Sequence, residues 1–166
     1  PLLHERAIFQ LMTNSTDTDL LPSVPNAADG SALYSSSTRF GASSGNLLAG
    51  TGTTGPAIIT DIFSVYSQFA AFQDTEGQPL WDPTDLDKGL IIYHAPAYTK
   101  GFTEAVHQTI QAYANSTSNA GVSNLVQAAA MKITLVPTAR LSGTDWYAFL
   151  RDPKRKPFIV QERDPV

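Results

Sequence analysis

The 166-residue chain predicts an α+β fold, with helices laid over a small sheet. Two observations carry this reading: amphipathic runs with helical spacing alternate with β-rich runs, and most of the β-rich runs fall late in the chain. The expected order is α, loop, α, β, α, β, β, β. An open parallel sheet wound on both sides would instead alternate strand and helix throughout.

Taken in order, "LLHERAIFQLMT" at 2–13 places Leu3, Ala7, Phe9, Leu11 and Met12 at roughly helical spacing among good helix formers. Residues 14–35 read as loop: Asn14, Ser15, Thr16 and Asp17 stop the helix, Pro22 and Pro25 keep the chain extended, and "DGSALYSS" makes a turn. From 35 to 55 the chain is Ser, Gly, Thr and Asn with few apolar anchors, which predicts a long, mobile surface loop. Pro56 suits the first turn of a helix, and Ile58, Ile59, Ile62, Phe63, Tyr66, Phe69 and Ala70 follow on one broad face until "EGQP". "LIIYHA" is a buried strand, and "PAYTKGFTEAVHQTIQAYA" is a helix packing Phe102, Val106, Ile110 and Tyr113. That strand and helix together form an α/β unit. After a polar connection, "MKITLVPTAR" is a strand, and "TDWYAFLRDPKRKPFIVQERDP" is two strands around a turn at Asp152 and Pro153. Trp146, Phe149 and Phe158 are expected to pack beneath the helices of 2–12 and 57–72.

Composition narrows the function. Charged residues are only 16% of the chain, so much of its surface is expected to meet protein rather than water. A net charge of −4 supplies no basic field for a nucleic-acid backbone, and no specific nucleic-acid site is expected. With no cysteine, there are no thiolate metal centres, disulfides or cysteine nucleophiles. No apolar run approaches the ~18 residues a membrane span requires, so no membrane partner is expected. A start at Pro1 rather than Met reads as a processed or excised piece of something longer.

Two motifs overlap in "GASSGNLLAGTGTTGP" at 41–56. Gly50, Gly52 and Gly55 spell G-x-G-x-x-G, which lets a backbone approach a dinucleotide pyrophosphate, and Asp74 stands at a fitting distance for a ribose carboxylate. The fingerprint requires a strand to deliver the glycines, and "SSSTRFGASSGNLLA" is a poor one. Pro56 stands where a phosphate P-loop has its Lys. Gly41, Ser43 and Gly45 spell G-x-S-x-G, a nucleophile elbow, with Asp61, Asp74, His94 and His107 as triad partners in the right chain order. That elbow also needs a strand before it and a helix after it. His4 opens H-E-x-x, but Ile8 replaces the second histidine of a zinc-protease helix, and His94 reads as a strand-end histidine bonded to backbone. Asp82, Asp85 and Asp87 lack the rest of a calcium loop and read as a solvated turn. Arg151, Lys154, Arg155 and Lys156 protect a hairpin edge or form ion pairs between subunits. The expectation is therefore no catalytic, cofactor-binding or metal-binding residue. The alternative is a small enzyme domain, nucleotide-binding or serine hydrolase, using loop 41–55.

Read end to end, the chain resembles a tailed-phage major capsid protein, specifically the Mu-like phage or prophage major head subunit. The resemblance runs through "DGSALYSS", the loop with "GNLLAG", "IITDIFSVYSQFAAFQDTEGQPL", "LDKGLIIYHAPAYTKGFTEAVHQTI" and "DWYAFLRDPKRKPFIVQERDP", in that order over residues 28–163. It implies the Hong Kong 97-like capsid fold, an axial domain plus part of a peripheral domain. On this resemblance residues 1–35 are the end of the peripheral spine helix and its following loop, 36–140 are axial-domain-like, and 141–166 return to the peripheral sheet. The arm and extended loop that precede the spine helix in that family are absent, as are the strands expected after Val166. The implied function is self-assembly, as hexamers and pentamers, into an icosahedral shell enclosing DNA, with no enzyme activity and no cofactor. The implied partners are copies of itself, with a scaffold protein and a maturation protease. The implied location is the virion, after synthesis in the bacterial cytoplasm.

Overall fold

Leu90–His94 alternates buried and half-buried residues, as expected of a strand covered on both sides. It is β1, the central strand. In the computed structural model, which describes residues 2–13, 33–36, 45–74, 76–82, 85, 88–114 and 132–151, it lies between Ile133–Pro137 (β2) and Trp146–Leu150 (β3). The pairing with β2 is parallel and that with β3 antiparallel, giving a mixed sheet. The described elements are thus mixed α+β. A parallel pair needs a crossover, and here it contains Thr99–Ala114 (α3), entered through a 3-10 turn at Pro96–Tyr98. Pro96 fits that first turn because its missing N–H has no helical partner to lose.

Register sorts the side chains. Leu90, Ile92 and His94 stand opposite Ile133, Leu135 and Pro137 on one side, and opposite Leu150, Ala148 and Trp146 on the other. Gly55–Ala71 (α2) and α3 cover this face, where Ile58, Ile62, Leu90, Ile92, Phe102, Ala105 and Leu150 form the larger core. The opposite face presents Tyr93, Tyr147 and Phe149 to Leu2–Thr13 (α1), around buried Met12, Ala95 and Leu141. Phe9 of α1 meets the Tyr93 ring edge-on at 6.1 Å, and the Arg140 guanidinium lies 5.7 Å from the Phe9 ring centre. The last residue of α1, Thr13, donates its hydroxyl to the Phe9 carbonyl at 2.8 Å.

Several expectations need correcting. Trp146 and Phe149 do pack beneath the expected helices, Trp146 under α2 and α3 and Phe149 under α1, but they are only half-buried and lie on opposite faces of β3, as an odd spacing along a strand requires. Phe158 lies outside the described residues. The apolar face of α2 is narrower than its sequence suggests: Phe63 is 41% exposed and Ala70 is exposed, while Ile58 and Ile62 are buried. The helix also ends at Ala71, ahead of "EGQP". Beyond it the chain folds back through a bridge between Gln73 and Pro79, with the Leu80 amide on the Phe72 carbonyl at 2.9 Å and Trp81 edge-on to Phe69. On α3, Phe102 is buried and Val106 half-buried, while the side chains of Ile110 and Tyr113 lie outside the described set. The second strand of "TDWYAFLRDPKRKPFIVQERDP" also falls outside it.

Gly89 closes the start of the sheet. Its φ is +92°, and a Cβ there would fall 1.9 Å from the Lys132 carbonyl oxygen, the acceptor of the Leu90 amide. Only glycine meets both demands.

Candidate functional site

The glycine-rich loop before α2 is the stretch whose sequence raises catalytic and nucleotide-binding readings. Its described part, 45–54, runs back along α2 without strand structure. Gly45 is buried, and its carbonyl accepts a hydrogen bond from Gln68 Nε2 at 2.5 Å. A Cβ on Gly45 would meet the Ser35 oxygen at 2.3 Å, so glycine here serves a close approach of two backbones. Asn46 locks the same junction. Its amide donates to the Leu33 carbonyl at 2.9 Å, and its side-chain oxygen accepts from the Ser35 amide at 2.9 Å.

Farther on, Thr51 is tied to Asp61 of α2. The Thr51 amide lies 3.0 Å from Oδ1 and 3.1 Å from Oδ2, and its hydroxyl donates to Oδ1 at 2.8 Å. Asp61 is the buried carboxylate among the described residues, and its Oδ2 would be 3.4 Å from a Cβ built on Gly50. This arrangement opposes a phosphate. A pyrophosphate cradle offers free amides and the positive end of a helix. Here one amide is occupied, a carboxylate lies beneath the glycines, and Pro56 removes an N–H from the first turn.

The other residues singled out by sequence do not converge on the loop. Asp74 holds the turn after α2, its Oδ1 accepting the Glu76 and Gln78 amides, both at 2.9 Å. His94 is buried in the sheet with Nδ1 2.8 Å from the Ala95 carbonyl oxygen, the backbone-bonded histidine its position suggests. Asp85 pairs with Lys88, and the Asp85 amide donates to the Asp82 carbonyl at 2.9 Å. Among the described residues no group of three or more His, Asp or Glu could hold a metal ion. The Arg151 guanidinium reaches Thr134 Oγ1 at 3.2 Å, and its amide donates to Gly89 at 2.9 Å. Ser43 and Asp87, Lys154, Arg155 and Lys156, and the side chains of His4 and His107 lie outside the described set.

Sequence reasoning missed two partners. Asp61 serves as the anchor of the loop, and Tyr34 packs its ring 5.7 Å from that of Tyr147. An Asp five residues beyond Pro56, among apolar helix positions, is the signal that could have found the first. Burial, and then the neighbouring Tyr147, push the Tyr34 phenol well above its ordinary value; burial, and then Asp145, raise Tyr147.

Among the described residues no helix is long and apolar enough to cross a membrane. Comparison of the chain with protein-family models, with curated proteins and with solved structures gave no match.

Proposed function

We propose that this chain is a structural subunit: a portion of the major capsid protein of a Mu-like phage or prophage, whose full-length product assembles through copies of itself into an icosahedral shell around DNA. The observation that carries the reading is the ordered succession of segments from "DGSALYSS" to "KPFIVQERDP" over most of the chain. The geometry of the described part of the glycine-rich loop supports it, because Gly45, Asn46 and Thr51 are committed to Gln68, Ser35 and Asp61. Shell assembly draws on many modest interfaces arranged by symmetry rather than on a pocket. In this reading the finer fold is the Hong Kong 97-like capsid fold, the chain is not an enzyme, and it ends up in the virion.

Negative-stain microscopy of the full-length product carrying this sequence tests the proposal. Uniform closed particles are expected, and a dispersed small protein at assembly concentrations would overturn it. A melting experiment tests the enzyme alternative. A nucleotide at 100 times its dissociation constant stabilises a fold by about 2.7 kcal/mol, or roughly 5–10 °C at this size. No such shift is expected with millimolar NAD, NADP, ATP or GTP.

A further inference from the structure

Tyr34 and Tyr147 are far apart in the chain, yet their ring centres lie 5.7 Å from each other at an interplanar angle of 50°. Backbone fastening on each side keeps them there. Beside Tyr34, the Leu33 carbonyl accepts from Asn46 Nδ2 and the Ser35 amide donates to Asn46 Oδ1, both at 2.9 Å, while the Ser35 carbonyl accepts the Leu47 amide at 3.1 Å. Tyr147 sits within β3, held by its pairing with β1. Both tyrosines are half-buried, so a small reagent can reach them. The other tyrosines with described side chains are engaged differently. Tyr93, opposite Tyr147 in the ladder, meets Phe9 and Phe149 edge-on, Tyr98 leans on Phe102, and Tyr66 packs against the larger core.

We propose that Tyr34 and Tyr147 form an oxidative cross-linking site, where a peroxide acting through a one-electron carrier joins the two rings as dityrosine and staples residues 33–36 to β3. Each phenol gives up one electron and its hydroxyl proton, leaving a radical whose unpaired spin is shared with the ring carbons beside the oxygen. One such carbon from each ring forms the new C–C bond. The hydrogen on each of those carbons leaves as a proton while each oxygen regains one, so both phenols are restored and the pair has lost two electrons and two protons. The peroxide accepts them as its O–O bond breaks; with hydrogen peroxide the by-product is two waters. The bond requires the ring centres to come about 1.5 Å closer, an approach within ordinary side-chain motion. Holding two reactants in contact turns a bimolecular encounter into an internal step, so this pair outruns tyrosines that must meet by diffusion. Asp145, exposed just before β3, places a negative charge beside Tyr147. That charge eases removal of an electron from the ring and offers an acceptor for the proton released.

The test uses the 166-residue chain alone, in dilute solution, and is independent of shell assembly. The chain is illuminated briefly with tris(bipyridyl)ruthenium as the carrier and persulfate as the peroxide, then followed by intact mass, dityrosine fluorescence and peptide mapping. The expected product is a monomer lighter by two hydrogens with the Tyr34 and Tyr147 peptides joined, in a yield unchanged over about a tenfold range of protein concentration. Tyr34→Phe and Tyr147→Phe should each remove that product. Unfolding the parent in urea before illumination should lower it at least about tenfold, because the two rings are then no longer held together. Oxidation that leaves no linked product, linkage that runs mainly between chains or maps to Tyr93 or another tyrosine, or an equal yield of the Tyr34 to Tyr147 link in urea would overturn the proposal. Should either variant fail to fold, the mapping and the urea comparison on the parent decide.

Discussion

On the face covered by α2 and α3, β1 presents Leu90, Ile92 and His94, all fully buried, to Ile58, Ile62, Phe102 and Ala105. On the face crossed by α1, the strands present Tyr93, Tyr147 and Phe149, all half-buried, and the closed part shrinks to Met12, Ala95 and Leu141. The same alternation builds both faces, so the difference lies in what covers them. Among the described residues two helices cover the first, while α1, held by ring edges and a guanidinium, and the Tyr34 ring against Tyr147 lie over the second. Burial free energy scales with apolar area removed from water. The α2/α3 face therefore carries most of the stability, and the α1 face tolerates change.

The largest expected effect tests that division directly. Phe102→Ala removes a fully buried ring that touches His94, Tyr98 and Trp146, and should cost about 3–5 kcal/mol. Phe149→Ala on the half-buried face should cost about 1–2 kcal/mol, since only part of its area leaves water. Trp146→Ala should fall between them. Denaturant midpoints check the ranking, and equal losses at Phe102 and Phe149 would break the comparison.

Where both faces begin, Gly89→Ala should be nearly as severe. Both the positive φ and the 1.9 Å approach to the Lys132 carbonyl oppose a side chain, so β1 and β2 must part at their first hydrogen bond. The left-handed backbone alone costs roughly 1–2 kcal/mol, and the displaced strand adds to it. A thermal melt within 2 °C of the parent would show that the sheet relaxes there more easily than its geometry implies.

A smaller effect is expected at the loop that α2 carries. Asp61→Ala removes the acceptor of both Thr51 bonds, and hydrogen bonds to a charged group are worth about 1.5–3 kcal/mol. The loss should be local: the Thr51 amide should exchange roughly 10–100 times faster while the midpoint set by Phe102 moves little. Unchanged exchange would mean that Asn46 and Gln68 suffice to hold the loop.

How much of this was legible depends on the range of the interaction. Helices α1, α2 and α3 and strands β1, β2 and β3 follow from periodicity and from Pro56 and Pro96, because those signals are local. The assignment of Trp146 and Phe149 to opposite faces is also local, given only that they sit three apart on a strand. The parallel pairing of β1 with β2 is set by contacts that no window contains, and α2 ends early where the chain folds back to set Trp81 against Phe69, which periodicity does not read. At the loop, composition hides the fastening. Gly, Ser and Thr bury little, yet Gly45, Asn46 and Thr51 are each held by a partner at least ten residues away.

The smallest effect near neutral pH belongs to the α1 face and grows only in alkali. Tyr34 and Tyr147 face each other at 5.7 Å, and both phenols are held above their ordinary value, chiefly by burial. For an acid whose neutral form is favoured by folding, the unfolded chain loses its proton first. The contribution is thus complete below about pH 10, the ordinary phenol value, and fades as pH rises from there toward the raised folded values. Ultraviolet titration of the phenolates should show Tyr34 and Tyr147 titrating late and becoming ordinary on unfolding. Tyr34→Phe should delete one late step and leave the other nearly in place, because burial and then Asp145 raise Tyr147. It should leave the neutral-pH midpoint nearly unchanged while flattening the loss of stability above pH 10. A parent whose phenols all titrate together near pH 10 while still folded would show that the α1 face admits water far more freely than its packing implies, and the contrast between the two faces would sharpen accordingly.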